Sequence, residues 1–176
     1  MEQAASKTHH NESRLVDQER FRSVMSRFAS GVSIITTRNA GVDYGLTASA
    51  VTSLSLDPPM LLICLNKASN TRDAIAEAQA FAVNILREDQ SELARRFATS
   101  QPGKFEGQSI SYGELGVPLL DNMLASMECR VVEIVSGGTH SIFLAEVQTA
   151  QATTEMPLTY FRGRMGRFTF LGADAR

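Results

Sequence analysis

The sequence predicts a mainly β, barrel-like domain with short helices laid over its openings. Three observations carry that expectation. Short runs rich in β-branched and aliphatic residues alternate with glycine-, proline- and asparagine-containing breaks, so the strands return on one another antiparallel. Only two or three segments show the 3.6-residue apolar spacing of a helix, and each is short. Finally, no G-x-G-x-x-G follows a strand and no G-x-x-x-x-G-K-[ST] occurs, which removes the sequence support for a doubly wound nucleotide-binding fold. A G-x-S-x-G elbow and an H-E-x-x-H helix are also missing, so hydrolytic chemistry is disfavoured. At 176 residues the chain suits one domain that can bury a core without a metal or disulfide. We expect a disordered tail over residues 1–14 and a single domain over 15–172.

The elements follow in order. Phe21, Val24, Met25 and Phe28 fall at i, i+3, i+4 and i+7 and predict a helix from Asp17, capped by Gly31, whose apolar stripe lies on a sheet. Val32–Thr37 reads as a strand, Asn39–Asp43 as its turn and Gly45 onward as one return strand ending at Pro58-Pro59. Met60–Leu65, nearly all apolar, predicts a strand covered on both faces. A short helix over Arg72–Ala78 and a strand over Phe81–Leu86 come next. Asp89-Gln90-Ser91-Glu92 has the form of a capping box for a helix with Leu93, Ala94, Phe97 and Ala98 on its apolar side. Gln101–Gly116 is glycine-rich and weakly periodic, the pattern of a long, mobile excursion bordering a site. Met127–Val135 and Ile142–Thr149 predict a hairpin about Ser136-Gly137-Gly138, and Pro157–Phe168 a closing strand.

Charge and composition narrow the function. A formal net charge of -2 without a basic run argues against nucleic acid as the main partner, even though the tail P-L-T-Y-F-R-G-R-M-G-R-F mixes aromatic and cationic residues. No apolar run approaches the ~20 residues of a membrane span and no secretory h-region is present, so we expect a soluble cytoplasmic protein. Cys64 and Cys129 sit in apolar runs far from any C-x-x-C spacing and read as reduced, buried thiols, and no metal site is expected. His9 and His10 fall in the polar tail and read as solvated.

Two polar clusters stand out. Gly45–Pro59 carries hydroxyls at Thr47, Ser49, Thr52, Ser53 and Ser55, which with nearby amides could hold a multi-oxygen anion, or could satisfy one another within the sheet. Asn66–Thr71 joins a buried strand to a helix whose first amides accept an anion, with Lys67 adding charge and Ser69 or Thr71 a hydroxyl; simple helix capping is the alternative. Asn84, between Val83 and Ile85, needs partners that either backbone or ligand could supply. His140 is a lone histidine at the start of a strand.

The segments F-R-S-V-M-S-R-F-A-S-G-V-S-I-I-T-T, G-L-T-A-S-A-V-T-S-L-S-L-D-P-P, F-A-V-N-I-L with the following D-Q and R-F-A, and P-L-T-Y-F-R-G occur in the order in which the short-chain flavin reductases carry them. The chain resembles that family, the reductase components of two-component flavin-dependent monooxygenases, from about residue 18 to 168. The resemblance implies a split, Greek-key-like β-barrel of the FMN-binding kind and a homodimer. It also implies hydride transfer from NADH or NADPH to FMN or FAD, with reduced flavin passed to an oxygenase component. It places Thr47, Ala48, Ser49, Ala50, Val51, Thr52 and Ser53 along the flavin, Lys67, Ser69 and Thr71 at its phosphate, Asn84 facing the flavin region, and His140 near the flavin ring and the nicotinamide. Thr139 stands where the family often has an aspartate before the histidine, and Met165 where a tyrosine is frequent. A flavin- or haem-binding barrel without reductase turnover, or a barrel that only binds a partner, are the alternatives.

Overall fold

The computed structural model describes residues 15–172, so the tail at 1–14 and its His9-His10 pair lie outside the described residues. The chain opens with α1 (Gln18–Met25), then β1 (Ser30–Gly31), β2 (Ser33–Asn39), β3 (Val42–Ala48), β4 (Val51–Leu56) and β5 (Pro59–Asn66). After α2 (Asn70–Ala78) come β6 (Ala80–Ile85), α3 (Ser91–Ala98), β7 (Ile110–Tyr112) and β8 (Pro118–Leu120). The long pair β9 (Ala125–Gly137) and β10 (His140–Ala152) is followed by β11 (Leu158–Phe161) and β12 (Arg164–Arg167).

Seven strands form one sheet in the order β3-β2-β6-β9-β10-β5-β4, with every neighbouring pair antiparallel. Its two edge strands, β3 and β4, are consecutive in sequence and separated only by Ser49 and Ala50. In a flat sheet six strand spacings would hold those edges about 29 Å apart. Three Cα steps from Ala48 to Val51 reach at most about 11 Å. The sheet must therefore curl until its edges meet, and register shifts between Leu144/Ala145 and Val147/Thr149 supply local bends. Because β3 and β4 do not pair, the barrel is split along that seam, as expected.

Inside the curl, Ile35, Ile63, Leu65, Phe81, Val83 and Phe143 form the main core, and Ile75 of α2 plugs it. A second cluster, with Ile34, Leu86, Ala94, Phe97 and Leu158, packs α3 against the outer face of β2. The strand β2 is thus buried on both faces, which its run of β-branched residues permits. Glu128 on β9 is also buried, and its carboxylate accepts from the amides of Glu114 and Leu115 and from the Thr149 hydroxyl, fixing the loop before β8.

Several expectations need correction. The return strand is two strands, since the seam interrupts it at Ser49 and Ala50. Pro59 begins β5, and β5 alternates between buried and half-buried positions because only its inner face meets the core. The capping box does not form: Asp89 pairs with Arg87, and the Gln90 side chain accepts from the Arg87 amide. Asp17 does cap α1, accepting from the Arg20 amide, but Gly31 lies beyond the helix end at Ser26. The apolar stripe of α1 does not lie on the sheet, for no residue of that helix is buried, and Phe21 and Val24 are 57% and 61% exposed. The closing strand is a hairpin, β11 and β12, turned at Arg162-Gly163.

Candidate functional site

A cavity of about 1140 Å³ opens at the seam, larger than most small-molecule pockets. Its walls are β3 with the Ser49-Ala50 link, the end of β5 with the loop into α2, and the segment from Phe97 to Glu106; His140 borders it. The first two walls are the two polar clusters singled out in the sequence. They meet because the curled sheet brings the end of β3 beside β5, where the Cys64 amide donates to Ala50 O at 3.0 Å.

Of the residues expected to hold a flavin, Thr47, Ala48, Ser49, Ala50, Ser69, Thr71 and His140 line this cavity. Thr47 is partly committed, its hydroxyl donating to Ala94 O of α3 at 2.7 Å. Ser49 and Ala50, between strands and exposed, line the cavity, with Ala50 O already taken by the Cys64 amide. Ser69 is the N-cap of α2 in extended conformation, yet its side chain makes no capping bond. No helical carbonyl precedes the amides of Asn70 and Thr71 either, and both residues line the cavity. An uncapped nine-residue helix opening on this cavity fits a phosphate.

The other expected residues lie elsewhere. Val51, Thr52 and Ser53 belong to β4, where Val51 packs on the core and Thr52 and Ser53 face solvent at the sheet edge. Asn84 is fully buried and saturated: its amide donates to Ile34 O and to the Thr36 hydroxyl, and its carbonyl accepts from the Leu120 amide at 2.9 Å. That polar residue pins β8 to β2 and, sealed in the core, does not line the cavity. Lys67 turns away as well, donating through Nζ to Ser136 Oγ at 2.7 Å and Gly138 O at 2.8 Å in the turn between β9 and β10.

Three features escaped the sequence reading. Lys104 lines the cavity and donates to Gly45 O at 3.0 Å and Phe97 O at 3.3 Å, and partial burial lowers its pKa. Phe97 and Phe105 stack edge to face with centroids 5.0 Å apart, stiffening the same wall. Cys64, expected to be buried, is half-exposed and lines the cavity, whereas Cys129 is buried and free. The glycine-rich excursion was a usable signal for this wall, but nothing local marked which of its side chains turns inward. At the β3 rim of the cavity, Asp43 accepts from the Tyr112 hydroxyl on β7 at 2.7 Å, a bond that raises the tyrosine's pKa, and pairs with Arg38.

His140 is exposed at the start of β10, opposite Asn66 of β5. Its Nδ1 lies 2.9 Å from the hydroxyl of Thr139. The neighbour that replaces the family's frequent aspartate therefore still contacts the imidazole, without a charge.

Comparison with known proteins places this geometry. Residues 25–169 match the family described as the flavin reductase like domain. Over 153 residues the chain is 50% identical to the reductase component of a 4-nitrophenol 4-monooxygenase/4-nitrocatechol 2-monooxygenase from Rhodococcus opacus, covering 87% of this chain and 82% of that protein. It is 39% identical to an FMN reductase (NADH), RutF 2, from Rhizobium rhizogenes, over 74% of this chain and 76% of that protein. Among solved structures, the NADH:FAD oxidoreductase SgcE6 of Streptomyces globisporus C-1027, in complex with NAD and FAD fragments, superposes with a TM-score of 0.83 at 33% identity, covering 93% of this chain and all of that one. With the split barrel, the cavity at its seam and these matches together, the chain belongs to the flavin reductase family.

Proposed function

We propose that this protein is the reductase of a two-component flavin-dependent monooxygenase, oxidising NADH, or NADPH in its place, and reducing FMN or FAD for release to a separate oxygenase. The observation that carries the reading is the convergence of the Thr47–Ala50 segment and the uncapped start of α2 on one cavity, with His140 at its border. Bound together, a dihydronicotinamide gives two electrons with one hydrogen to the flavin, which takes a further proton from water, leaving the oxidised nicotinamide and reduced flavin.

The residues present suit that task. The amides of Asn70 and Thr71 and the hydroxyl of Ser69 hold the flavin phosphate, using the positive end of α2. Backbone groups of Thr47, Ala48, Ser49 and Ala50 border the cavity and would stabilise negative charge on a flavin ring bound there. Lys104 and the Phe97–Phe105 pair keep the outer wall closed against β3, excluding water from that side. His140 orients the reacting partners by hydrogen bonding. No nucleophile is needed.

The reading includes a homodimer, supported by the exposed apolar face of α1, where Phe21, Val24 and Met25 stand uncovered by their own chain, with Phe28 exposed just beyond the helix end. It also includes the cytoplasm, whose reducing conditions match two free cysteines. Anaerobic stopped-flow mixing of NADH and NADPH with protein and FMN, FAD or riboflavin tests the activity. Flavin bleaching coupled to nicotinamide oxidation is expected. Failure of every combination removes the assignment. Light scattering tests the assembly, with twice the chain mass expected.

A further inference from the structure

Lys67 was expected at a phosphate, and the structure gives it a different task. The turn between β9 and β10 consists of Gly138 and Thr139, since Gly137 pairs with His140. Gly138 has a φ of 59°, the positive value demanded of the first central residue in a type II′ hairpin. The tip of this hairpin projects into solvent, with the last six residues of β9 all exposed apart from ladder bonding. A projecting tip of this kind has little packing to fix the direction in which His140 points.

Lys67 supplies the missing restraint from the neighbouring strand. Its amide donates to Thr139 O at 3.0 Å, and its ammonium donates to Gly138 O at 2.8 Å and to Ser136 Oγ at 2.7 Å. Three bonds from one residue therefore hold both ends of the turn. On the other side, Ser69 N donates to Asn66 O and Ala68 N to Asn66 Oδ1, so the loop that begins α2 is folded onto the same end of β5. The turn that carries the imidazole and the loop that opens α2 are thus joined through residues 66 and 67. Within the turn, the Thr139 hydroxyl meets Nδ1 of His140, which leaves Nε2 as the ring nitrogen available to a ligand.

We infer that Lys67 and Thr139 are positioning residues for His140, Lys67 by clamping the β9–β10 turn to the end of β5 and Thr139 by holding the imidazole through Nδ1. This inference rests on the proposed reductase reading only for its kinetic consequence; the orientation of the ring does not depend on it. A carboxylate before the histidine would add charge to the imidazole pair, whereas threonine fixes its direction with no charge. The clamp makes up for part of that difference by restricting the turn itself.

The test uses the full chain with Lys67→Met, which keeps the apolar stem and removes the ammonium, together with Thr139→Val and Thr139→Ser. Nitrogen-15 spectra of labelled histidine, assigned with His140→Ala, report the hydrogen bonding of the two ring nitrogens at about pH 8. Wild type and Thr139→Ser show the Nδ1 resonance of His140 in its hydrogen-bonded position; Lys67→Met and Thr139→Val shift it toward the solvated position. Hydride transfer in Lys67→Met falls about tenfold, within the range that a displacement of under 1 Å produces. Affinities for FMN and riboflavin both stay within about twofold of wild type, well inside the 1.4 kcal/mol of a tenfold change. An unchanged ring spectrum in Lys67→Met and Thr139→Val overturns the inference. So does a loss of FMN affinity that spares riboflavin, because that result makes Lys67 a phosphate ligand. Should wild-type protein reduce no flavin, the reductase reading fails while the ring spectra still decide the clamp.

Discussion

Substituting Gly45 by alanine tests how the cavity wall is built. Gly45 is buried on β3, and a Cβ placed there would lie 2.7 Å from Cε1 and 2.9 Å from Cδ1 of Phe97, with Cζ of Phe105 at 3.2 Å. Phe97 is fully buried in the cluster beneath α3, so its ring cannot swing aside without moving neighbours. Overpacking of this kind costs about 1–3 kcal/mol, and disturbing the edge-to-face pair with Phe105 adds about 0.5–1.5 kcal/mol. The backbone at Gly45 is not in the left-handed region, so strain adds nothing. For a domain of this size about 1 kcal/mol corresponds to roughly 2–4 °C, and a total of about 1.5–4.5 kcal/mol predicts a fall in Tm of roughly 3–18 °C. Thermal unfolding by circular dichroism measures it. Flavin affinity, read by fluorescence quenching, falls alongside because Phe105 and Lys104 shift with the wall. Gly31→Ala, where a Cβ meets nothing within 4 Å, is the control and stays within about 0.5 kcal/mol. In a Phe97→Leu background the cost of Gly45→Ala drops by about 1 kcal/mol or more. Equal costs in both backgrounds would refute the steric explanation.

Three further outcomes follow from the same structure. His140→Ala slows anaerobic flavin reduction more than it weakens flavin binding; an unchanged reduction rate would make the histidine a bystander. Asn84→Ala removes three buried hydrogen bonds and destabilises the fold by about 3 kcal/mol in urea titration, at roughly 1 kcal/mol per lost bond, while flavin affinity of the folded protein is spared. Burial, with a smaller contribution from Glu128, pushes the Cys129 thiol from its ordinary 9.0 up to about 12. A raised folded-state pKa gives stability that is complete below pH 9 and is lost as pH rises toward about 12, because the unfolded chain releases the proton first. Replacing Cys129 by alanine flattens that alkaline slope in denaturation measurements from pH 8 to 11, and in native wild type at pH 8 iodoacetamide labels Cys64 and spares Cys129.

Much of the fold was legible because its signals are local. The β-branched run of β2, the turn at Ala40-Gly41, the proline break before β5 and the glycine turn at the end of β9 each act within a few residues. The apolar stripe of α1 shows where local pattern stops being informative. Spacing reveals that a helix has an apolar face but not whether its own chain covers it, and here Phe21 and Val24 remain exposed. The capping box failed for a related reason: Asp89 had a stronger partner in Arg87, two residues away.

The sequence by itself determined the two polar clusters, the hydroxyl-bearing segment from Gly45 and the loop before α2, since residue type and neighbouring strand or helix ends define both. Only the tertiary structure decided which members reach the cavity. Curling of the seven-stranded sheet brings Ser49, Ala50 and Ser69 to one seam, sends Thr52 and Ser53 to a solvent edge, seals Asn84 between β2 and β8, and directs Lys67 to the β9–β10 turn while Lys104 arrives from a distant loop. The orientation of a side chain on a sheet depends on register and closure, which long-range pairing sets, so no window of adjacent residues contains it.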